Sequence, residues 1–164
     1  MDAILCAYFA GVIDCDGSIQ VMRTQGPKRK RDGKRPHYFM VRVTVTQVDR
    51  TIHDLLIKSF GGHIYRYDRP NGGKGYWYTW TVSSKKALVI LQMVRPYLQL
   101  KTKQADAAMS LIALIDQQNA SRSGHEVITD EQESQRLSLL HEVRLYNARP
   151  KATRNRELLP QPPI

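Results

Sequence analysis

The order of hydrophobic periodicities along the chain predicts an α+β fold. Three observations carry the prediction: a helical period at the start followed by two stretches of period two, a second helix with two further strands, and a C-terminal portion whose apolar residues again recur every three or four positions. No second copy of the opening stretch and no internal repeat is present, so residues 1–150 read as one domain and residues 151–164 as a basic, Pro-rich tail. At 164 residues and 41% hydrophobic content, the chain has the material for one real core.

The opening helix is read from Ile4, Leu5, Tyr8, Phe9, Val12 and Ile13, whose three- and four-residue spacing makes one apolar face. Ala7, Ala10 and Gly11 lie among them. A helical Gly costs about 1 kcal/mol relative to Ala, so Gly11 asks for a packing reason, and close approach of a second helix supplies one. Asp14 and Asp16 follow, then Gly17, the residue type that ends helices in the left-handed conformation. Carboxylates are misplaced at a helix C-terminus, where unpaired carbonyls already carry partial negative charge. Acids and carbonyls together, however, make a hard oxygen site suited to Mg²⁺ or Ca²⁺. A bare D-x-D-G is more often an ordinary helix exit with solvated acids; the small residues upstream shift the balance.

Ser18–Gln25 alternates Ile19, Val21 and Arg23 with Gln20, Met22 and Thr24, which reads as a strand with one face for the core and one for a ligand. Gly26–His37 is a loop with turn residues at Gly26-Pro27 and Asp32-Gly33, and it carries Lys28, Arg29, Lys30, Arg31, Lys34 and Arg35. Alone it fits a nuclear-localisation signal or a solvated loop; between two strands of a basic protein it fits phosphates better. Tyr38–Gln47 alternates cleanly. Phe39, Val41, Val43 and Val45 share one face, and Tyr38, Met40, Arg42, Thr44 and Thr46 the other.

Asp49 is the expected cap of a helix through Ile52, Leu55, Leu56, Ile57 and Phe60, stopped by Gly61-Gly62. Ile64–Arg69 and Tyr76–Val82 read as strands joined by a hairpin turn at Pro70-Asn71-Gly72-Gly73. Arg66, Asp68, Tyr76 and Tyr78 are the candidates for the exposed face of that hairpin, whereas Trp77 and Trp80 are read as packing residues. Ser84 is the expected cap of the next helix, through Leu88, Leu91 and Val94 to Arg95-Pro96, and another runs from about Thr102 through Met109, Leu111, Ile112 and Ile115. Asn119–His125 is a polar loop. Thr129-Asp130-Glu131-Gln132 then fits a capping box before a helix containing Leu137, Leu140, Val143 and Leu145.

A formal charge of +10 and a pI near 9.8 are the footprint of a phosphate-binding protein, and a nucleic acid is the natural partner. The sequence has no apolar run of transmembrane length, no signal peptide and no strongly basic amphipathic helix, which argues against a membrane. Cys6 and Cys15 sit on the same expected helix and cannot bridge each other. Two free thiols suit a reducing compartment, so an intracellular setting, cytoplasmic or organellar rather than secreted, is expected.

The stretch Phe9-Ala10-Gly11-Val12-Ile13-Asp14-Cys15-Asp16-Gly17 resembles the motif of LAGLIDADG homing endonucleases at six of nine positions, with Phe9, Val12 and Cys15 as the departures. The element order matches that family's α-β-β-α-β-β-α fold, with a twisted antiparallel four-stranded DNA-binding sheet and additional C-terminal helices. A single motif in this length resembles the homodimeric branch, whose paired motif helices each bring one acidic residue to the cleavage site. The resemblance makes Asp16 that acid, the carbonyl of Cys15 a second metal ligand, and Tyr8, Phe9, Ala10, Gly11, Val12 and Asp14 the dimer interface. Pro96–Ala105 and Thr44–Gln47 resemble two further segments of the family, and they give catalytic roles to Lys101 and Gln47. For the family's third polar group Arg50 is the nearest candidate, His53 is possible, and Thr51 holds the nominal place.

The resemblance implies a Mg²⁺-dependent endonuclease that cuts both strands of a long pseudo-palindromic site and leaves short 3′ overhangs. It also implies an origin in a mobile intron or intein, and Ca²⁺ as an ion that occupies the sites without supporting cleavage. Gln20, Arg42 and Arg66 are the expected direct base readers. The basic loop, with Arg149, Lys151 and Arg154, is expected on phosphates. The alternatives are a non-catalytic intron RNA maturase or DNA-binding protein on the same scaffold, and a basic RNA-binding structural protein; an intact Asp16 and Lys101 favour the enzyme.

Overall fold

The computed structural model describes residues 2–28, 30, 33, 35–69, 75–120 and 128–148. Helix α1 (Ala3–Asp16) begins where the Asp2 side chain accepts the Ile4 amide at 3.3 Å, and it runs straight into strand β1 (Gly17–Gln25). Gly17 is not left-handed, contrary to expectation: its φ of −91° and ψ of 166° are already those of a strand. The reason for glycine there is space. A Cβ would lie 2.7 Å from backbone atoms of Ile13, so only a residue without one lets helix and strand abut.

Strand β2 (His37–Gln47) pairs antiparallel with β1, followed by α2 (Thr51–Phe60), β3 (His63–Asp68) and β4 (Tyr76–Ser83). Helices α3 (Lys85–Val94), α4 (Thr102–Ala120) and α5 (Asp130–Asn147) complete the chain, with a short 3₁₀ turn at Arg95–Tyr97 between α3 and α4. The sheet order is β1-β2-β4-β3, antiparallel throughout. This is the expected α+β order. The Pro70–Gly73 turn and the 151–164 tail lie outside the described residues.

All the buried strand residues share one parity. Ile19, Val21, Val41, Val43, Val45, Trp80 and Val82 line the core, and α1, α2, α3, α4 and α5 all pack against strands of the sheet. Burying those side chains removes their apolar surface from water at about 25 cal/mol per Å², which sets the register, because a slip by one residue would turn the set outward. Trp80 is fully buried and donates its indole N–H to the Gly61 carbonyl at 2.8 Å.

Two caps differ from expectation. Asp49 lies one residue before the Arg50 N-cap of α2, yet its carboxylate still accepts the Thr51 amide at 2.7 Å. Ser84 heads α3 with a φ of 54° and no side-chain cap bond. The capping box of α5 is as read: Thr129 and Gln132 exchange two 3.2 Å bonds.

Candidate functional site

The apolar residues of α1 do not form one face. Cys6, Phe9, Ala10 and Ile13 point into the core, whereas Ile4, Ala7, Tyr8, Gly11 and Cys15 lie on an exposed stripe and Val12 is half-buried. Phe9 and Ala10, expected at a dimer interface, are therefore committed to the protomer's own core, because 100° per residue carries them to the opposite side from Tyr8 and Gly11. A Cβ on Gly11 would meet nothing within 4 Å. Within this chain the helix has room to spare, so the glycine has no intramolecular packing reason.

At the C-terminal end of α1 the structure brings together three of the expected site residues. The Gln47 amide donates to Asp16 Oδ2 in a short hydrogen bond. Lys101 Nζ donates to the Ile13 carbonyl at 2.9 Å, which also accepts the Gly17 amide, and to the Asp14 carbonyl, placing a cation at the negative end of α1. Burial pushes the Lys101 ammonium below the ordinary lysine range, while Asp14, Cys15 and Asp16 pull it back up.

Asp14 is buried in a structural role, and its two carboxylate oxygens accept the backbone amides of Gln99 at 2.7 Å and Lys101 at 2.9 Å. Of the candidates for the third polar group, Arg50 and His53 are turned elsewhere, while Thr51 lines the cleft beside Gln47. Arg50 pairs with Asp54 at 3.1 Å and lies 5.8 Å from the centre of the Tyr78 ring. His53 is fully buried, with one ring nitrogen 3.0 Å from the Asp49 carbonyl and the other 3.2 Å from that of Val45. Thr51 heads α2.

Among the described residues no group of three or more His, Cys, Asp or Glu could hold a metal ion. Asp16 is exposed, as is Cys15 beside it. One carboxylate and helix-end carbonyls are hard oxygen donors of the kind Mg²⁺ and Ca²⁺ take, but they are too few to hold an ion alone, so one chain fits half of such a site. Beside them a cleft of about 250 Å³ is lined by Tyr8, Val12, Gln47, Asp49, Thr51, Ile52 and Leu55.

Among the described residues no helix covers the sheet's other face. Gln20, Met22, Thr24, Tyr38, Met40, Arg42, Thr44 and Thr46 all lie on it, as read from β1 and β2. On β3 and β4 the assignment is corrected. Arg66 pairs with Tyr78, and Asp68 with Tyr76, in the parity of buried Trp80, so these four lie on the helix side, Tyr78 half-buried against His53 of α2 and the other three exposed beyond it. There Arg66 pairs with Asp68 at 3.0 Å and sits 4.4 Å from the centre of the Tyr76 ring. The residues that continue the open face are His63, Tyr65 and Tyr67 with Trp77, Thr79 and Thr81. Tyr67 and Trp77 stack at 6.0 Å between ring centres. Lys28, Lys30 and Arg35 are exposed near the β1–β2 end, whereas Arg29, Arg31, Lys34, Arg149, Lys151 and Arg154 lie outside the described residues.

No protein-family model matches the sequence, and no curated protein matches it significantly. Solved structures do. The homing endonuclease I-CvuI in complex with its target, in the presence of Ca, superposes with a TM-score of 0.65 at 21% identity, over 92% of this chain and 87% of that one. The archaeal intron-encoded homing endonuclease I-Vdi141I, complexed with DNA, gives 0.65 at 14% identity, over 94% and 89%. The LAGLIDADG homing endonuclease I-SmaMI, bound to cleaved DNA, gives 0.58 at 17% identity, with 82% of this chain spanning 42% of that one. The chain has the LAGLIDADG homing-endonuclease fold.

Within that fold, two groups of residues escaped the sequence reading. The Asp14–Gln99–Lys101 bonds span more than eighty residues of chain and leave no local pattern. The Tyr65, Tyr67 and Trp77 row was within reach: counting by twos from Trp80 and Val82, whose burial the apolar pattern allows, excludes Tyr76 and Tyr78 from the open face.

Proposed function

We propose that the protein is a site-specific endonuclease that cuts both strands of duplex DNA, works as a homodimer and depends on divalent cations, Mg²⁺ in particular. One observation carries the reading: Asp16, Gln47 and Lys101, from three separate elements, converge at the end of a helix whose outer stripe is open for a second copy of itself. The fold and the half-site donor set support it. A twofold axis along the α1 stripe would place a second Asp16 near the first and complete an oxygen site that one chain leaves short. Bound there, divalent cations would hold the scissile phosphate and lower the pKa of an attacking water.

The chain's own residues supply the rest. Asp16 offers the anionic oxygens, Gln47 fixes the rotamer of that carboxylate, and Lys101 holds positive charge beside it against the negative charge that develops on phosphate. The open face of the sheet suits the major groove, which admits a two-stranded ribbon whose alternate side chains reach base edges. The basic surface would follow the phosphates. The target would be long and pseudo-palindromic, matching the twofold axis, cut to leave short 3′ overhangs, and the gene carried in a mobile intron or intein.

Asp16→Asn should lower double-strand cutting by about 10²- to 10³-fold or more, while binding to the same DNA in Ca²⁺ persists. The assay is cleavage of the intronless allele of the host gene with Mg²⁺, mapping the ends. Wild-type cutting by that variant would refute the proposal.

A further inference from the structure

We infer that Asp14, the first acid of the D-x-D-G stretch, is a positioning residue that sets Lys101 against the end of α1, and so acts on cleavage through another side chain. This rests on the endonuclease reading above. The geometry is a two-point latch: one carboxylate oxygen accepts the Gln99 amide at 2.7 Å and the other the Lys101 amide at 2.9 Å. Both acceptors belong to one rigid group, so the segment they hold cannot rotate about a single bond.

That segment has little else to fix it. Leu98 is buried and its amide donates to the Val94 carbonyl at 3.2 Å, but Gln99 and Leu100 are exposed, and α4 begins only at Thr102. Lys101 is the last residue before that helix. With its amide held by the Asp14 side chain, its own side chain folds back and its Nζ reaches the Ile13 and Asp14 carbonyls. Asp14 thus contacts Lys101 from both ends, through its carboxylate and its carbonyl.

The location would otherwise be a poor one for an acid. A buried carboxylate beside the C-terminal carbonyls of its own helix is opposed by their partial negative charge, and two amide donors and the start of α4 offset that cost. An amide side chain cannot replace it, because Asn has one acceptor oxygen and its NH₂ would meet the second backbone N–H donor to donor. Asp16, two residues on, is left exposed at the site while Asp14 turns inward, so the two acids of the motif divide the work: one faces the substrate and one aligns the lysine.

The test uses Asp14→Asn and Asp14→Glu, the second keeping charge and both oxygens but displacing them by one methylene. Both variants should fold by circular dichroism, bind target DNA in Ca²⁺ as the wild type does, and cut about 10- to 100-fold more slowly under single turnover. In a Lys101→Met background, Asp14→Asn should slow cutting no further, since its effect runs through the lysine. Equal slowing in both backgrounds, wild-type cutting, or failure of both variants to fold would each overturn the inference. Hydrogen exchange on metal-free protein separates it from the functional proposal. The Gln99 and Lys101 amides should be protected in the wild type and lose protection in Asp14→Asn, whether or not the protein cuts any DNA; amides unprotected in the wild type would end the inference alone.

Discussion

Gln47 and Lys101 hold the two charges of the site in different ways, and their variants should fail differently. Gln47 touches Asp16 itself, so Gln47→Ala frees the carboxylate rotamer and should slow cutting by about 10- to 100-fold in Mg²⁺ with little change in DNA affinity. Lys101 instead brings titration. Burial leaves its folded-state pKa below the 10.5 of a solvated lysine, with Asp14, Cys15 and Asp16 opposing. As pH rises, the folded protein therefore loses this proton before the unfolded chain does. The contribution to stability is greatest above the unfolded value and is lost as pH falls through the depressed one. For cutting the sign is the reverse, because the charged form supports the reaction. The rate should decline on the alkaline side earlier than an ordinary lysine would impose, and Lys101→Arg, charged throughout that range, should move the limb upward. A pH profile of single-turnover cutting measures this; a limb that stays put in the arginine variant belongs to another group.

At the scale of elements, the sheet separates two arginines that the sequence alone treats alike. Arg42 lies on the open face and Arg66 on the helix side, already paired with Asp68 and Tyr76. Arg42→Ala should cost about 1–3 kcal/mol of affinity and relax preference at one base pair of each half-site. Arg66→Ala should stay within about 0.5 kcal/mol, as for surface changes away from a contact. Binding titrations against a library of half-site variants would separate them, and equal losses would mean the duplex does not lie on the open face. The same contrast explains what was legible. The alternation of β1 and β2 fixes their faces without a structure, since Ile19, Val21, Phe39, Val41, Val43 and Val45 recur at every second position with mostly polar residues between them. In Tyr76–Trp80 four of five residues are aromatic, so alternation inside that stretch carries no sign; the sign comes from Val82 beyond it, which shares its parity with Trp80, the residue that reaches the Gly61 carbonyl. In α1 the difficulty is similar. Apolar residues surround the helix, one side packed in the core and the other exposed and, on the proposed reading, kept for a second copy, and periodicity cannot tell which is which. Asp16, Gln47 and Lys101 could be named as candidates because each sits in a short segment that resembles one family, whereas the inward turn of Asp14 depends on a loop eighty-five residues away.

For the whole molecule, charge and symmetry make separate demands. A net charge of +10 implies many phosphate contacts, so affinity should fall steeply and linearly in log–log form as salt rises, with a slope near −0.9 per phosphate neutralised. That term says nothing of a dimer. The dimer rests on Gly11, which sits mid-helix on the exposed stripe of α1 with nothing within 4 Å of where a Cβ would project. In the isolated protomer, replacing it should help. Gly11→Leu gains up to about 1 kcal/mol of helix propensity, or roughly 2–4 °C in Tm for a chain of this size. In the dimer the same side chain would stand between two helices that must touch backbone to backbone, and the second Asp16 would be held away from the first. The expected outcome is therefore a protomer of higher thermal stability, measured dilute and without metal, that sediments as a monomer on cognate DNA and no longer cuts both strands. Gly11→Ala should fall between. A Gly11→Leu protein that still dimerises and cuts would move the partner surface off α1, and with it the claim that two acids meet at one axis.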